Sequence, residues 1–490
     1  MNIKSAAQLM RASAEGSDSF FDKEIEGFSI DSRAVAAGEL FFALSPEDYR
    51  QHCFTATSFA DAHLFIEQAF ERGASAAVAR RERVRSDAEL ARVSDRLLLV
   101  EDVIEALQLL ARGVIERWGG PVVGITGSAG KTTTKDLTAH VLGVAGRRVL
   151  RSKKNFNNEL GVALSVLQME TSPAKPEDFD VAVLEMGMSM PGEIARHCLV
   201  APPDIGVELI VAPVHLEFMG SIEAIAEGKA QLVEGLKPGG TAVLNADDEL
   251  VAAMREKHRG GKTLTFGFRR AADVTAFDID SAAFGLTRFR LRTPLGEAGV
   301  ELPLPGTHNL TNALAAAAVA TCFGIAPDEI ARALATAAPS EMRGEVLRFA
   351  GGVTVVDDSY NSNPRSLLSM SEALAQGGEA AKRRIAVAGE MLELGDESAA
   401  IHREAGREIA GLGIDLLWGV RGDARELIEG ARAAGMSDEA TAFFETSEDA
   451  AEALAGIVRA GDLILVKGSR GVHTERIVER LRERYESSDE

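Results

Sequence analysis

The stretch Gly124-Ile-Thr-Gly-Ser-Ala-Gly-Lys-Thr-Thr-Thr134 constrains this chain more than any other. A short β-branched run, VVGIT (122–126), leads into it, and a helical pattern, TTTKDLTAHVLGVAG, leads out. Glycine lets backbone N–H groups approach phosphate oxygens closely, and a helix N-terminus adds a partial positive charge. The pattern predicts a phosphate loop in which Gly127, Ser128, Ala129, Gly130, Lys131, Thr132 and Thr133 surround a nucleotide. Lys131 would reach the β- and γ-phosphates, and the Thr132 hydroxyl would ligate Mg²⁺. The first glycine comes one residue early for the strict G-x-x-x-x-G-K-[ST] pattern. The strand and helix around the loop therefore carry the assignment, since a GKT triplet alone also suits a structural glycine-rich turn.

From Pro121 onward, apolar runs of strand length alternate with helical patterns. VAVLEMG (181–187), IGVELIVAP (205–213) and GTAVLNAD (240–247) follow the loop. After APSEMRG, which reads as a linker over 338–344, the alternation restarts with VTVVDDS, RRIAVAGE, DLLWGV and DLILVKGS. Strands alternating with helices imply βαβ units and a parallel sheet. The N-terminal part is more mixed, with FFALS (41–45) and LLLVED (97–102) reading as strands and Asp61–Arg72 as a helix. The expected fold class is α/β in three domains. These are residues 1–118, a central phosphate-loop domain at 119–339 with a mainly parallel sheet, and a Rossmann-like domain at 340–490. At 490 residues the chain is too long for one core.

The net charge of −21 argues against a nucleic-acid binder or a protein docked on an anionic membrane. Cys53, Cys198 and Cys322 are odd in number and widely spaced, with no CxxC, so neither a disulfide framework nor a zinc site is expected. No run of 18 apolar residues occurs and the N-terminus lacks a signal-length apolar core, so a cytoplasmic location is expected.

GITGSAGKTT resembles the T-G-[ST]-x-G-K-T-[ST] loop of the Mur ligases and of folylpolyglutamate synthase. Further segments match the Mur pattern in order. Asp31-Ser32-Arg33 followed by GELFFAL resembles the family's uridine-binding region, and Leu184-Glu185-Met186-Gly187 its L-E-x-G. His215-Leu216-Glu217 with Glu227-Gly228-Lys229-Ala230 resembles its metal-and-lysine segment, and LPGTHNLTNA (304–313) its adenine segment. In the last third, DDSYNSNP (357–364), GEMLELG (389–395) and VKGSR (466–470) are similar to the motifs of the members that add D-alanyl-D-alanine. The D-Y-A-H-T-P and D-N-P-R of the diaminopimelate-adding relative are not found. One departure stands out: where the family reads K-G-x-x-x-D-G-H-x-F, this chain reads Ser45-Pro-Glu-Asp-Tyr-Arg-Gln-His-Cys-Phe54, with an apparent insertion before DAHLF (61–65). The resemblance therefore does not set how the first domain holds the uridine or muramoyl part.

The resemblance implies an ATP- and Mg²⁺-dependent ligase that adds D-alanyl-D-alanine to UDP-N-acetylmuramoyl-tripeptide through an acyl phosphate. It would act as a monomer, without nucleic acid or membrane insertion. Its catalytic set would be Lys131, Glu185, His215 and Lys229, with Thr132, Glu185 and His215 on Mg²⁺. Glu185 ends an apolar strand, where a carboxylate can reach a metal over the loop; a solvated strand end is the plainer reading. Relatives carry a carbamylated lysine at the position of Lys229. Asn309 and Asn312 offer the amide donors and acceptors an adenine edge needs, while Asn309 also reads as a helix N-cap. By the same resemblance Arg343 and Asp358 face the nucleotide from the third domain. Tyr360, Asn361 and Asn363 form the amine-substrate side, and Lys467 and Arg470 take the dipeptide carboxylate. Asn363-Pro364 reads equally as an N-cap with a first-turn proline. Ser32 and Arg33 would touch the UDP substrate. So would Asn158, at the end of a basic run (Arg147, Arg148, Arg151, Lys153, Lys154) that otherwise reads as a solvated face. Two alternatives stay open: a sibling ligase adding a diamino acid to UDP-muramoyl dipeptide, and a non-catalytic nucleotide-binding regulator.

Overall fold

A computed structural model describes residues 1–52, 59–153, 156–214, 216–281, 284–377 and 381–485. Its elements form two compact units. One comprises Met1–Ile125, Gly146–Gly206 and Glu234–Gly240; the other comprises Thr126–Ala145, Val207–Val233 and Thr241–Glu490.

The first unit opens with four parallel strands in sequence order, Gly27–Ser29, Glu39–Phe42, Ala76–Arg80 and Leu97–Val100. The runs read as FFALS and LLLVED are strands only over Glu39–Phe42 and Leu97–Val100. The helix expected over Asp61–Arg72 is a 3₁₀ turn, Ala62–Phe65, followed by a short α-helix, Ile66–Glu71. The helix Val103–Trp118 is capped by Asp102 at its start and by Gly119, at φ +69°, at its end. The same unit holds the parallel pairs of Val181–Glu185 with Val122–Thr126 on one side and Val149–Arg151 on the other, with Ile125 opposite Glu185. VVGIT and VAVLE are buried at every position, as parallel strands covered on both faces require.

In the second unit, Thr241–Asn245 and Lys262–Gly267 pair in parallel, and Val274–Asp280 joins them. An antiparallel ribbon follows, Val274–Asp280 with Thr287–Thr293 and then Gly296–Leu302. The sequence reading did not include this ribbon, whose middle strand alternates buried and exposed residues throughout. The helix Thr307–Cys322 buries most of its length, including a run of alanines from Ala315 to Ala318 that lets neighbouring elements approach closely. The last third is a six-stranded sheet. Its edge strand Glu345–Phe349 runs antiparallel to Val353–Asp358, and Asp462–Lys467, Arg383–Gly389, Leu416–Val420 and Thr441–Phe444 follow in parallel. Apolar clusters cover both its faces, one around Val355, Ile385 and Ile464 and the other around Leu374, Ile409 and Leu427. Each such fully buried Leu or Ile contributes about 1.5–3 kcal/mol relative to exposure. Among the described residues no helix is long and apolar enough to cross a membrane. Cys198 and Cys322 are free thiols, and Cys53 lies outside the described residues.

Candidate active site

The phosphate loop leaves the strand Val122–Thr126 through backbone that only glycine adopts easily. Gly127 has φ +152° and Gly130 φ +83°. A Cβ on Gly130 would lie 2.3 Å from Asn312 Oδ1, and one on Gly127 would lie 2.8 Å from the Leu209 Cβ. Gly130 is the N-cap of the helix Lys131–Val144 and, being glycine, caps it without a side-chain hydrogen bond. A helix N-terminus entered through glycines is the kind of backbone that receives an anion. Ser128 fixes the loop's start: its backbone N–H donates to Ile210 O (2.7 Å), and its Oγ donates to Ala212 O (3.1 Å) and accepts from Ala212 N (2.9 Å). Ala129 and Thr133 are half-buried and Thr132 is buried. Lys131 folds back so that its Nζ donates to Gly127 O at 2.8 Å.

Asn312 closes one side of this loop. Its Oδ1 accepts from the Thr134 hydroxyl (3.2 Å), and its Nδ2 donates to Asn309 Oδ1 (3.2 Å). Asn309 in turn donates to Pro305 O (2.7 Å). The helix here starts at Thr307 with Gly306 as its cap. Asn309 thus lies inside the first turn and is not the N-cap that its place before an alanine run suggested.

The run IGVELIVAP also differs from expectation, since the strand ends at Glu208. Beyond it, side chains replace ladder partners. Asn245 Nδ2 donates to Leu209 O (2.7 Å), Asp248 Oδ2 accepts from Val211 N (3.1 Å), and Ser128 holds Ala212. This braced segment leads to His215, which lies outside the described residues, as does Lys154 of the basic run.

Lys229, on the helix Ile222–Glu234, is 2% exposed. Burial pushes its amine down to about 7, the Lys131 charge pushes the same way, and Glu208 opposes both. Glu208 is wholly buried, which holds its carboxyl well above the usual range; Lys229 pulls it down and Asp248 pushes it up. A buried lysine that is partly uncharged near neutral pH is unusual and marks functional sites more often than structural ones.

In the other unit, Glu185 ends its strand 1% exposed, so it is not a solvated strand end. Its N–H donates to Ser152 Oγ (3.1 Å), and its Oε1 accepts from Asn157 Nδ2 (2.8 Å). Asn157 is fixed from its own backbone, where its carbonyl accepts from Gly187 N at 2.8 Å. The sequence reading named Asn158, which caps the helix Glu159–Leu167 by accepting from Gly161 N (2.8 Å), and missed its neighbour. No local signal in the sequence ties Asn157 to Glu185, 28 residues away. Ser32 is buried and donates to Gln68 Oε1 (3.2 Å). Arg33 is open to solvent and pairs with Asp31 at 2.8 Å, holding the Asp31 carboxyl down at about 2. Arg148 pairs with Asp180 at 2.8 Å.

The motifs of the last third converge at the carboxyl ends of parallel strands, where α/β folds place their ligands. Asp358 and Lys467 are direct register partners. Lys467, almost fully buried, donates from Nζ to Asp358 Oδ2 (2.7 Å) and to Asn361 O (2.8 Å). The Arg343 guanidinium stacks 4.0 Å from the Tyr360 ring centroid, and Arg470 lies 5.8 Å from the same ring. Asn363 caps the helix Pro364–Gln376, accepting from Ser366 N at 2.9 Å, as the Asn-Pro pair suggested.

Among the described residues no group of three or more His, Cys, Asp or Glu side chains forms a ready metal cage. Magnesium does not require one. It is usually held by one or two protein oxygens together with substrate phosphates and water, and the Thr132 hydroxyl at the start of the loop's helix is a hard oxygen of that kind.

Fold and loop together define a nucleotide-binding α/β protein with a glycine-rich phosphate cradle. Residues 125–320 match the Mur ligase middle domain, and residues 342–470 match the Mur ligase glutamate ligase domain. A UDP-N-acetylmuramoyl-tripeptide--D-alanyl-D-alanine ligase of Bacillus subtilis (strain 168) is 33% identical, with 98% of each chain covered. The crystal structure of MurF from Acinetobacter baumannii superposes with a TM-score of 0.84 at 27% identity, covering 98% of each chain. The MurF ligase of Thermotoga maritima in complex with ADP superposes at 0.78 with 30% identity, covering 96% of this chain and 99% of that one. The chain belongs to the Mur ligase family.

Proposed function

We propose that this protein is the ATP-dependent ligase that joins D-alanyl-D-alanine to UDP-N-acetylmuramoyl-tripeptide in peptidoglycan precursor synthesis. The observation that carries the reading is the end-to-end likeness to ligases of that name, with the DDSYNSNP segment at the mouth of the last sheet. The tripeptide carboxylate oxygen attacks the γ-phosphorus of ATP and ADP leaves, giving an acyl phosphate. The dipeptide amine then attacks the acyl carbon, phosphate departs, and the nitrogen gives up its extra proton. Positioning and charge neutralisation do most of this work. The first-turn N–H groups after Gly130, together with Lys131, hold the phosphates. Asn309 and Asn312 line the adenine side. Arg343 and Asp358 approach the nucleotide from the last sheet, with Tyr360, Asn361, Asn363 and Arg470 around the amine substrate. Mg²⁺, held by Thr132 and Glu185 with His215 on a second ion, would neutralise phosphate charge. The three segments 1–118, 119–339 and 340–490 correspond to UDP-substrate, ATP and amine-substrate domains. Substrate-driven closure would keep water from the acyl phosphate.

The assay is phosphate release from ATP and Mg²⁺ with UDP-N-acetylmuramoyl-tripeptide, with and without D-alanyl-D-alanine. Release that needs both, with a pentapeptide product by mass, is the expected result. Activity only with UDP-muramoyl dipeptide and a diamino acid moves the chain to the sibling ligase, and no release with either leaves a nucleotide-binding regulator.

Lys229 is read as carbamylated, on the likeness to relatives. Its burial supports this, because the uncharged amine is the form that adds carbon dioxide. Lys229→Ala is expected to lose about 10²-fold or more in turnover, with part restored by small carboxylates such as acetate. Full activity without rescue overturns the assignment.

A further inference from the structure

His52 lies in the segment whose sequence departs from the family pattern, and it is held by two acidic groups at once. Its Nδ1 is 3.0 Å from Glu159 Oε2, and its Nε2 is 3.2 and 3.3 Å from the two oxygens of Asp102. Each acid opens a helix. Asp102 is the N-cap of Val103–Trp118, and Glu159 is the first residue of Glu159–Leu167. The Glu159 side chain is wholly buried and also accepts from Gln108 Nε2 (3.1 Å) and from Arg196 Nε. Burying this many charges is costly, so a cluster of this kind marks a place where geometry must be fixed.

What it fixes is the turn ahead of the second helix. Asn158 caps the first turn through Gly161 N, and Gly161 sits so close beneath Phe156 that an added Cβ would lie 2.6 Å from the Phe156 carbonyl carbon. Asn157, between them, holds Glu185 Oε1 at 2.8 Å. The contacts run without a break from Asp102 through His52 and Glu159 to the turn Phe156–Asn158 and on to Glu185.

Resting on the ligase reading above, we propose that His52 is a positioning residue for the UDP-linked substrate: by anchoring Glu159 it sets the Phe156–Asn158 turn against which that substrate binds. The imidazole's charge supports this. Burial works against it, but Asp102 and Glu159 together hold His52 up at about 9. The titratable groups around it are those two acids, Arg196 and His197 beside Glu159, Arg80 beside Asp102, and Glu47, Asp48 and Arg50 on the helix it ends; burial pushes His197 toward its neutral form. The raised value means that the anchor is charged through neutral pH and is lost as pH rises through about 9.

The test measures the KM for UDP-N-acetylmuramoyl-tripeptide and the KM for ATP between pH 7 and 10, in the full-length protein and in His52→Gln. The expected result is a KM for the UDP substrate raised about tenfold in the variant at pH 7.5, with the KM for ATP unchanged. The unaltered protein's KM should climb toward the variant's value above about pH 9, while the variant shows no such climb. A purely structural histidine would lower the melting temperature without producing that pH step. A variant KM within twofold of the original, or the same step in both proteins, overturns the proposal. If the variant does not fold, the unaltered protein decides alone, since a flat KM between pH 8 and 10 overturns it. An unaltered protein that neither binds nor turns over the UDP substrate sinks the ligase reading itself, whereas turnover with an unmoved KM sinks only His52.

Discussion

Lys131→Ala is expected to lose about 10³-fold in turnover while keeping its fold. The ammonium sits at the first position of a helix, in a loop shaped by Gly127 and Gly130. Charge placed where a phosphoryl group develops its transition state is worth far more than the same charge in water. Removing one preorganised donor typically costs about 10²–10³-fold, and a full cation at least as much. Stability depends on it far less. The side chain is half-buried and its hydrogen bond to Gly127 O is worth about 1 kcal/mol. The melting temperature should therefore move by only a few degrees. The substitution also removes one of the two influences that keep the Lys229 amine low, so that amine should rise from about 7 toward its ordinary value. ADP formation under saturating substrates, read beside a melting curve, checks the prediction. Turnover within tenfold of the original would mean that Lys131 does not touch the transferring phosphate.

What could be read from the sequence follows from the range of the forces involved. The phosphate loop was legible because strand, glycines and helix start are adjacent in the chain, and each residue type carries its own backbone preference. Asn363-Pro364 was legible for the same reason, as a cap and a first-turn proline adjacent in the chain. The parallel strands of the last sheet showed as continuous apolar runs because both faces are buried. The ribbon Thr287–Thr293 and Gly296–Leu302 carries instead an alternation in which arginines and glutamates pair across strands, Arg288 with Glu301 and Arg292 with Glu297. Such a surface sheet has no apolar run to announce it. Asn157 was invisible because its role depends on Glu185, 28 residues away. The end of the strand at Glu208 was hidden because Asn245 and Asp248, far along the chain, satisfy the backbone beyond it. Asn309 misled because a cap and a first-turn residue share the same composition, and only the Gly306 backbone, at φ +87°, decides between them.

Lys467→Met is expected to destabilise the last sheet by about 3–5 kcal/mol, and it separates two roles for that lysine. The sequence suggested that Lys467 binds the dipeptide carboxylate. Its ammonium is in fact almost fully buried, 2.7 Å from Asp358 Oδ2 and 2.8 Å from Asn361 O, between adjacent parallel strands. Methionine preserves the apolar stem and leaves Asp358 as a buried carboxylate without its counter-ion. The cost of breaking such a pair comes mostly from the charge left behind, not from the attraction lost. Lys467→Met with Asp358→Asn should therefore recover much of the loss, and a double-mutant cycle on thermal unfolding measures the coupling directly. Neutralising both residues also removes opposed influences on His308, whose imidazole is held down to about 4 by burial, pulled up by Asp358 and pushed down by Lys467. If Lys467 instead serves chiefly as the dipeptide's anchor, Lys467→Met will melt near the original temperature, the KM for D-alanyl-D-alanine will rise steeply, and Asp358→Asn will restore neither. The geometry favours the first outcome, because two of the ammonium's three protons already have short acceptors within the protein. Arg470 is then the better candidate for the carboxylate, with a side chain 55% exposed beside the Tyr360 ring.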